Sequence, residues 1–215
     1  MSEPIQERIL KRDLFGTIAE VQGLPGRAIR RDTRSAAFGL RWLARWLAGR
    51  EARALQRLQG VPAVPRLLCF EGGVLERSHL GGEVMYRAAP RELAYYREAR
   101  RLLQAVHRRG VVHNDLAKEA NWLQLDDGRP ALVDFQIAWI GRPRAPLMRL
   151  LAREDLRHLL KHKRMYCPQH LTPVEKRLLK RQSWIRRLWF ATGKRIYRFL
   201  TRRVLGWRDR EGGSY

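Results

Sequence analysis

The 215-residue chain carries 44 Lys and Arg against 21 Asp and Glu, a formal net charge of +23, and 45% of its residues are apolar. That apolar share excludes a wholly disordered polymer, and the cation excess points to an anionic partner: nucleic acid, acidic lipid or a phosphorylated glycan. Only two cysteines occur, Cys69 and Cys167, too far apart for a disulfide framework or a zinc site, which fits a reducing compartment. The first fifteen residues hold Glu3, Glu7 and Asp13 with no long apolar core, so no signal peptide is expected. No stretch approaches the roughly eighteen consecutive apolar residues of a bilayer span. The expected location is cytoplasmic, with peripheral attachment to the inner face of a membrane as an extension.

Residues 10–21 read as a strand, a turn and a second strand, with Gly16 after the turn, and residues 26–31 as a third strand. Residues 37–59 are helical in pattern: Leu40, Leu43, Leu47, Ala54, Leu55 and Leu58 recur near helical spacing, and Trp42 and Trp46 form an i,i+4 pair. Gly49 is a candidate break in that helix. Pro62 and Pro65 bound the entry to another strand, and residues 74–78 give the next. Gly81 and Gly82 mark a flexible crossover. Residues 90–109 predict an amphipathic helix built on Leu93, Tyr96, Ala99, Leu102, Leu103 and Val106, stopped by Gly110. Asp126-Asp127-Gly128 is a turn between two strands, not a metal site. Residues 141–146 form a short basic connector, and residues 147–163 a further helix.

The chemistry concentrates between residues 110 and 136. A short apolar run delivers His113 and Asp115 onto a loop, Asn121 follows six residues after Asp115, and a second apolar run ends in Asp134. Strand-end carboxylates joined by an Asn suit phosphoryl transfer: one Asp orients or deprotonates a hydroxyl, while the Asn and the second Asp hold Mg²⁺ against nucleotide phosphates. The simpler alternative is a helix–loop–strand with solvated carboxylates.

His113, Asp115, Asn121, Asp134 and Phe135 in this order resemble the catalytic loop and metal-binding motif of the protein-kinase-like superfamily. The resemblance implies an α+β, two-lobed minimal kinase-like fold, with a small antiparallel-sheet N-lobe and a truncated helical C-lobe, using ATP and Mg²⁺. It makes Asp115 the catalytic Asp, His113 its buttress, Asn121 and Asp134 the metal ligands, and Lys118 a neutraliser of the transferred phosphoryl. Gly16 is the one glycine left in the nucleotide-covering loop, with Lys11 and Asp13 where the first two would be. Arg30 stands where a Lys grips the α- and β-phosphates, Glu51 is its helix partner, and Asp155 reaches back to the catalytic-loop backbone. Two departures stand out: the Asp115–Asn121 spacing is one residue longer than the family pattern, and Gln136 replaces a Gly. Arg30 and the small size are similar to lipopolysaccharide sugar kinases, and RIO-like atypical Ser/Thr kinases are the other comparison.

The expected division is residues 1–80, 81–172 and a basic aromatic tail at 173–215. In that tail Trp184, Trp189, Phe190, Tyr197, Phe199 and Trp207 interleave with arginines, which suits an anionic membrane surface. Nucleic acid is a less favoured partner for the same ingredients. The leading expectation is a kinase acting on a hydroxyl-bearing glycolipid or protein. A pseudokinase or nucleotide-binding scaffold and a nucleic-acid-binding protein are the alternatives.

Overall fold

The first two strands, β1 (Gln6–Asp13) and β2 (Gly16–Gly23), make an antiparallel hairpin closed by Leu14 and Phe15. Asp13 fastens the turn by accepting a hydrogen bond from the Phe15 N–H at 2.8 Å. Gly16 has φ 120°, and a Cβ there would strike the carbonyl oxygen of Asp32 at the end of β3 (Gly26–Asp32). Glycine is therefore required by close backbone approach. In this computed structural model, which describes residues 6–23 and 26–180, β4 (Leu67–Glu71) and β5 (Val74–Ser78) complete an antiparallel sheet of order β1-β2-β3-β5-β4.

One helix, α1 (Arg41–Arg57), covers a face of this sheet. It runs unbroken through Gly49, against which the Phe70 ring rests. Its buried side is lined by Ala44, Ala48, Ala52 and Ala54 with Leu55, while Leu40, Leu43 and Leu47 are only half-buried. Small side chains let the helix approach Leu75 and Leu67 closely, so alanines rather than the more apolar leucines mark the packed face.

Gly81 and Gly82, both at positive φ, lead out of the sheet into β6 (Glu83–Val84) and the one-turn α2 (Met85–Ala88). Then α3 (Leu93–Arg108) buries Tyr95, Tyr96, Ala99, Leu102, Leu103 and Val106, as its periodicity predicted from Tyr96 onward. Gly110 ends it at φ 72°, where a Cβ would collide with the Gly141 carbonyl. β7 (Val111–Val112) follows, then β8 (Trp122–Gln124) and β9 (Pro130–Leu132), which pair with β6 in a three-stranded sheet. β10 (Trp139–Ile140) returns to pair with β7, and α4 (Pro146–Tyr166) packs against α3. The main core joins Leu55, Leu58, Met85, Leu103, Trp122, Leu132, Phe135 and Leu159. Each such fully buried side chain contributes on the order of 2 kcal/mol.

The chain divides into two units, Met1–Thr172 and Pro173–Tyr215. In the second, α5 (Pro173–Lys180) is described, and the aromatic basic tail beyond it lies outside the described residues. Among the described residues no helix is long and apolar enough to cross a membrane.

Candidate active site

The loop after β7 is held from three sides before any catalytic group is placed. Asp155, buried on α4, accepts hydrogen bonds from the backbone N–H of His113 at 2.9 Å and of Asn114 at 3.1 Å, and contacts His107 Nε2 at 3.0 Å. This is the backbone anchor expected of it. His107 is the half-buried partner of that anchor. His113 is wholly buried, accepts from the Asp115 N–H through Nδ1 at 3.3 Å, and donates from Nε2 to the Val133 carbonyl at 2.9 Å. Because Nδ1 accepts, the shared proton belongs on Nε2. The Phe135 ring leans on the imidazole with centroids 4.6 Å apart.

This scaffold leaves Asp115 part-exposed. Its Oδ2 takes an ion pair from Lys118 Nζ at 2.7 Å and a hydrogen bond from Asn121 Nδ2 at 3.1 Å. Asn121 Nδ2 also donates to the Asp115 carbonyl at 2.9 Å. The extra residue between Asp115 and Asn121 is absorbed by a 3₁₀ turn over Glu119–Asn121, so Lys118 stays beside the carboxylate rather than being displaced. With both amide protons committed to Asp115, Asn121 Oδ1 is the atom left to accept or to ligate.

Asp134 is tied to the same network through its neighbour. The Val133 N–H donates to the Asn121 carbonyl at 3.1 Å while its own carbonyl takes the His113 proton. Asn114 and Asp134 both sit at left-handed φ, 66° and 65°. Such strain on non-glycine residues persists only where surrounding bonds over-determine it, and here it brackets the segment that carries Asp115 and Asn121. A donor set of one Asn amide oxygen and one carboxylate fits Mg²⁺, which takes one or two protein oxygens and completes its shell with phosphate and water. It does not fit a self-sufficient metal cage, and among the described residues no group of three or more His, Cys, Asp or Glu could hold a metal.

The β3 cation departs from expectation. Arg30 lies on the face of the sheet away from α1, where it pairs with Glu76 at 2.7 Å and Glu7 at 3.6 Å. It does not meet Glu51. The next residue, Arg31, does: Glu51 is fully buried, with Arg31 Nε at 3.8 Å and Arg77 Nε at 3.2 Å. Neither arginine gives it an aligned hydrogen bond. Burial pushes the Glu51 carboxyl up from its ordinary range, while Arg77 and then Arg31 pull it down. Arg31 also meets the side-chain oxygen of Gln136, once that amide is turned to face it. The correction is one residue, and in a strand one residue exchanges faces. Sequence reading took the third residue of Ala28-Ile29-Arg30. The usable signal was alternation, since Ile18, Arg31 and Leu75 lie opposite one another and Leu75 is in the core under α1.

Two more residues escaped the sequence reading. Arg77 is the second cation on Glu51. Arg50, stacked 4.7 Å over Trp46, donates to the Ala138 carbonyl at 2.7 Å and so links α1 to the segment after Asp134. Gly16 has the packing role given above, and the Phe15 N–H beside it is already taken by Asp13.

No family model matches the sequence, and no curated protein matches it either. Among solved structures the chain is similar to the Rio2 kinase from Chaetomium thermophilum, with a TM-score of 0.61 at 16% identity over 83% of this chain and 63% of that one. It is also similar to the Rio2 kinase–ADP/Mg²⁺–phosphoaspartate complex from the same organism, with a TM-score of 0.60 at 16% identity over 95% and 71%. The chain thus spans less than two thirds of the first of these structures. At such identity the likeness is one of fold.

Proposed function

We propose, from a protein-kinase-like fold, that this chain is a phosphotransferase moving the γ-phosphate of ATP to an alcohol. The observation that carries the reading is the hydrogen-bonded network running from Asp155 through His113 and Val133 to Asp115 and Asn121, with Asp134 next to Val133 in the chain. Asp115, its Oδ2 pinned by Lys118 and Asn121, would orient or deprotonate the acceptor hydroxyl. Asn121 Oδ1 and the Asp134 carboxylate would hold Mg²⁺, which supplies charge neutralisation at the β- and γ-phosphates. Arg31, steadied by Glu51, is the phosphate-side cation in place of Arg30. The ADP and Mg²⁺ named for the Rio2 complex support the same cofactors here.

The acceptor is a hydroxyl on a glycolipid sugar or a protein Ser or Thr. Only residues 141–145 separate β10 from α4, leaving little chain to seat an extended peptide, which favours the sugar. A second reading, a nucleotide-binding scaffold without turnover, is favoured by one observation: Asp13 occupies the turn N–H that would approach a phosphate.

Radiolabelled ATP offered with core glycolipid, with generic protein and alone separates these readings. Acceptor labelling by the wild type that falls roughly a hundredfold or more in Asp115→Ala supports the enzyme. Equal background in both, with nucleotide still bound, supports the scaffold.

A further inference from the structure

The outer side of α1 carries a stripe of exposed aromatic rings. Phe38, in the 3₁₀ turn that leads into the helix, is 91% exposed, Trp42 69% and Trp46 48%. They stand at i, i+4 and i+8, and the exposed Arg41 and Arg45 fall between them at the i+3 and i+7 places of the same face. Phe70, 40% exposed, extends the stripe at its far end by lying on Gly49. The opposite side of α1 is already spent on the sheet, so among the described residues these rings complete no core. The only acid in α1 is Glu51, which is buried, so the outward face carries aromatic rings and cations and no acid.

We propose that this face docks on an anionic phospholipid surface. The stripe is convex, a helix ridge and not a groove, so it has no walls to hold a peptide or stack a splayed base. Tryptophan and phenylalanine rings favour the headgroup level of a bilayer, and arginines beside them meet lipid phosphates. The docking needs nothing from the phosphotransfer reading. Should that reading hold, the membrane would meet the same helix whose Arg50 and Glu51 reach the site.

The test uses the full chain, without nucleotide, and vesicles of phosphatidylcholine with or without phosphatidylserine. The double substitution Phe38→Ser with Trp42→Ser removes two exposed rings, and circular dichroism melting checks that the fold survives. Vesicles containing phosphatidylserine should bind the wild type, and the double variant should bind roughly tenfold more weakly. Brominated lipid should quench wild-type tryptophan fluorescence and quench Trp42→Phe less. If the double variant melts early, Phe38→Ser alone is read, since that ring touches almost nothing. Undiminished vesicle binding by the variants overturns the proposal. So does a variant that loses only self-association by light scattering, or only RNA binding by mobility shift. ATP turnover with a soluble acceptor, run in parallel, reports separately on the enzyme.

Discussion

Arg30 and Arg31 are adjacent and chemically identical, yet the sheet sends one to Glu76 and the other to Glu51. Arg31→Ala is expected to lower kcat/KM for ATP roughly a hundredfold, because a charge preorganised at the phosphates is lost. Arg30→Ala removes a half-exposed pair and should stay within a few-fold of wild type. Steady-state kinetics on the two single variants decide between the positions. Asp134 gives a prediction that needs no acceptor. Mg²⁺·ADP at about 100 times its Kd should stabilise the wild type by about 2.7 kcal/mol, whereas Asp134→Asn should show little Mg²⁺-dependent gain in thermal shift.

At the scale of the element, α4 is the frame of the loop after β7. Asp155→Ala orphans two loop N–H groups and the His107 contact, so urea denaturation should show a loss of about 3 kcal/mol. Asp155→Asn keeps one acceptor oxygen and should lose less. The same helix sets an acid limit. Burial, then Lys161, hold His158 down to about 4, although Asp155 opposes them. The folded value lies below the ordinary 6.5, so the unfolded chain binds the extra proton as pH falls. Its contribution is complete above the unfolded value and drains away as pH drops toward the folded one. The urea midpoint should therefore fall from about pH 7 toward about pH 4, and His158→Gln should flatten that fall.

For the whole molecule, the joint between the five-stranded sheet and the helical part runs through α1. Arg50 reaches the carbonyls of Ile137 and Ala138, and the Asn114 amide reaches Ile137 from the other side. Arg50→Ala should weaken ATP turnover roughly tenfold by misplacing the Asp134 segment, while melting shifts little because no core side chain is touched. Kinetics and melting on one preparation would show whether the two separate. The primary structure alone determined the run of strands and helices, which follows from local periodicity and glycine stops acting within a few residues. The α+β class and the expected roles of Asp115, Asn121 and Asp134 came from the resemblance that their motif carries. Asp155, 42 residues beyond His113, was also readable, because it lies in a helix with a recognisable place in the motif. The tertiary structure decided what depended on faces and close approach. In the first half of α1 the alanines, not Leu43 and Leu47, became the packed side, and Asp13 took the turn N–H that a phosphate-binding loop would offer. It also gave Glu51 to Arg31 and Arg77, because an arginine's partner depends on which strand face it shares, and a string of adjacent cations carries no label for that.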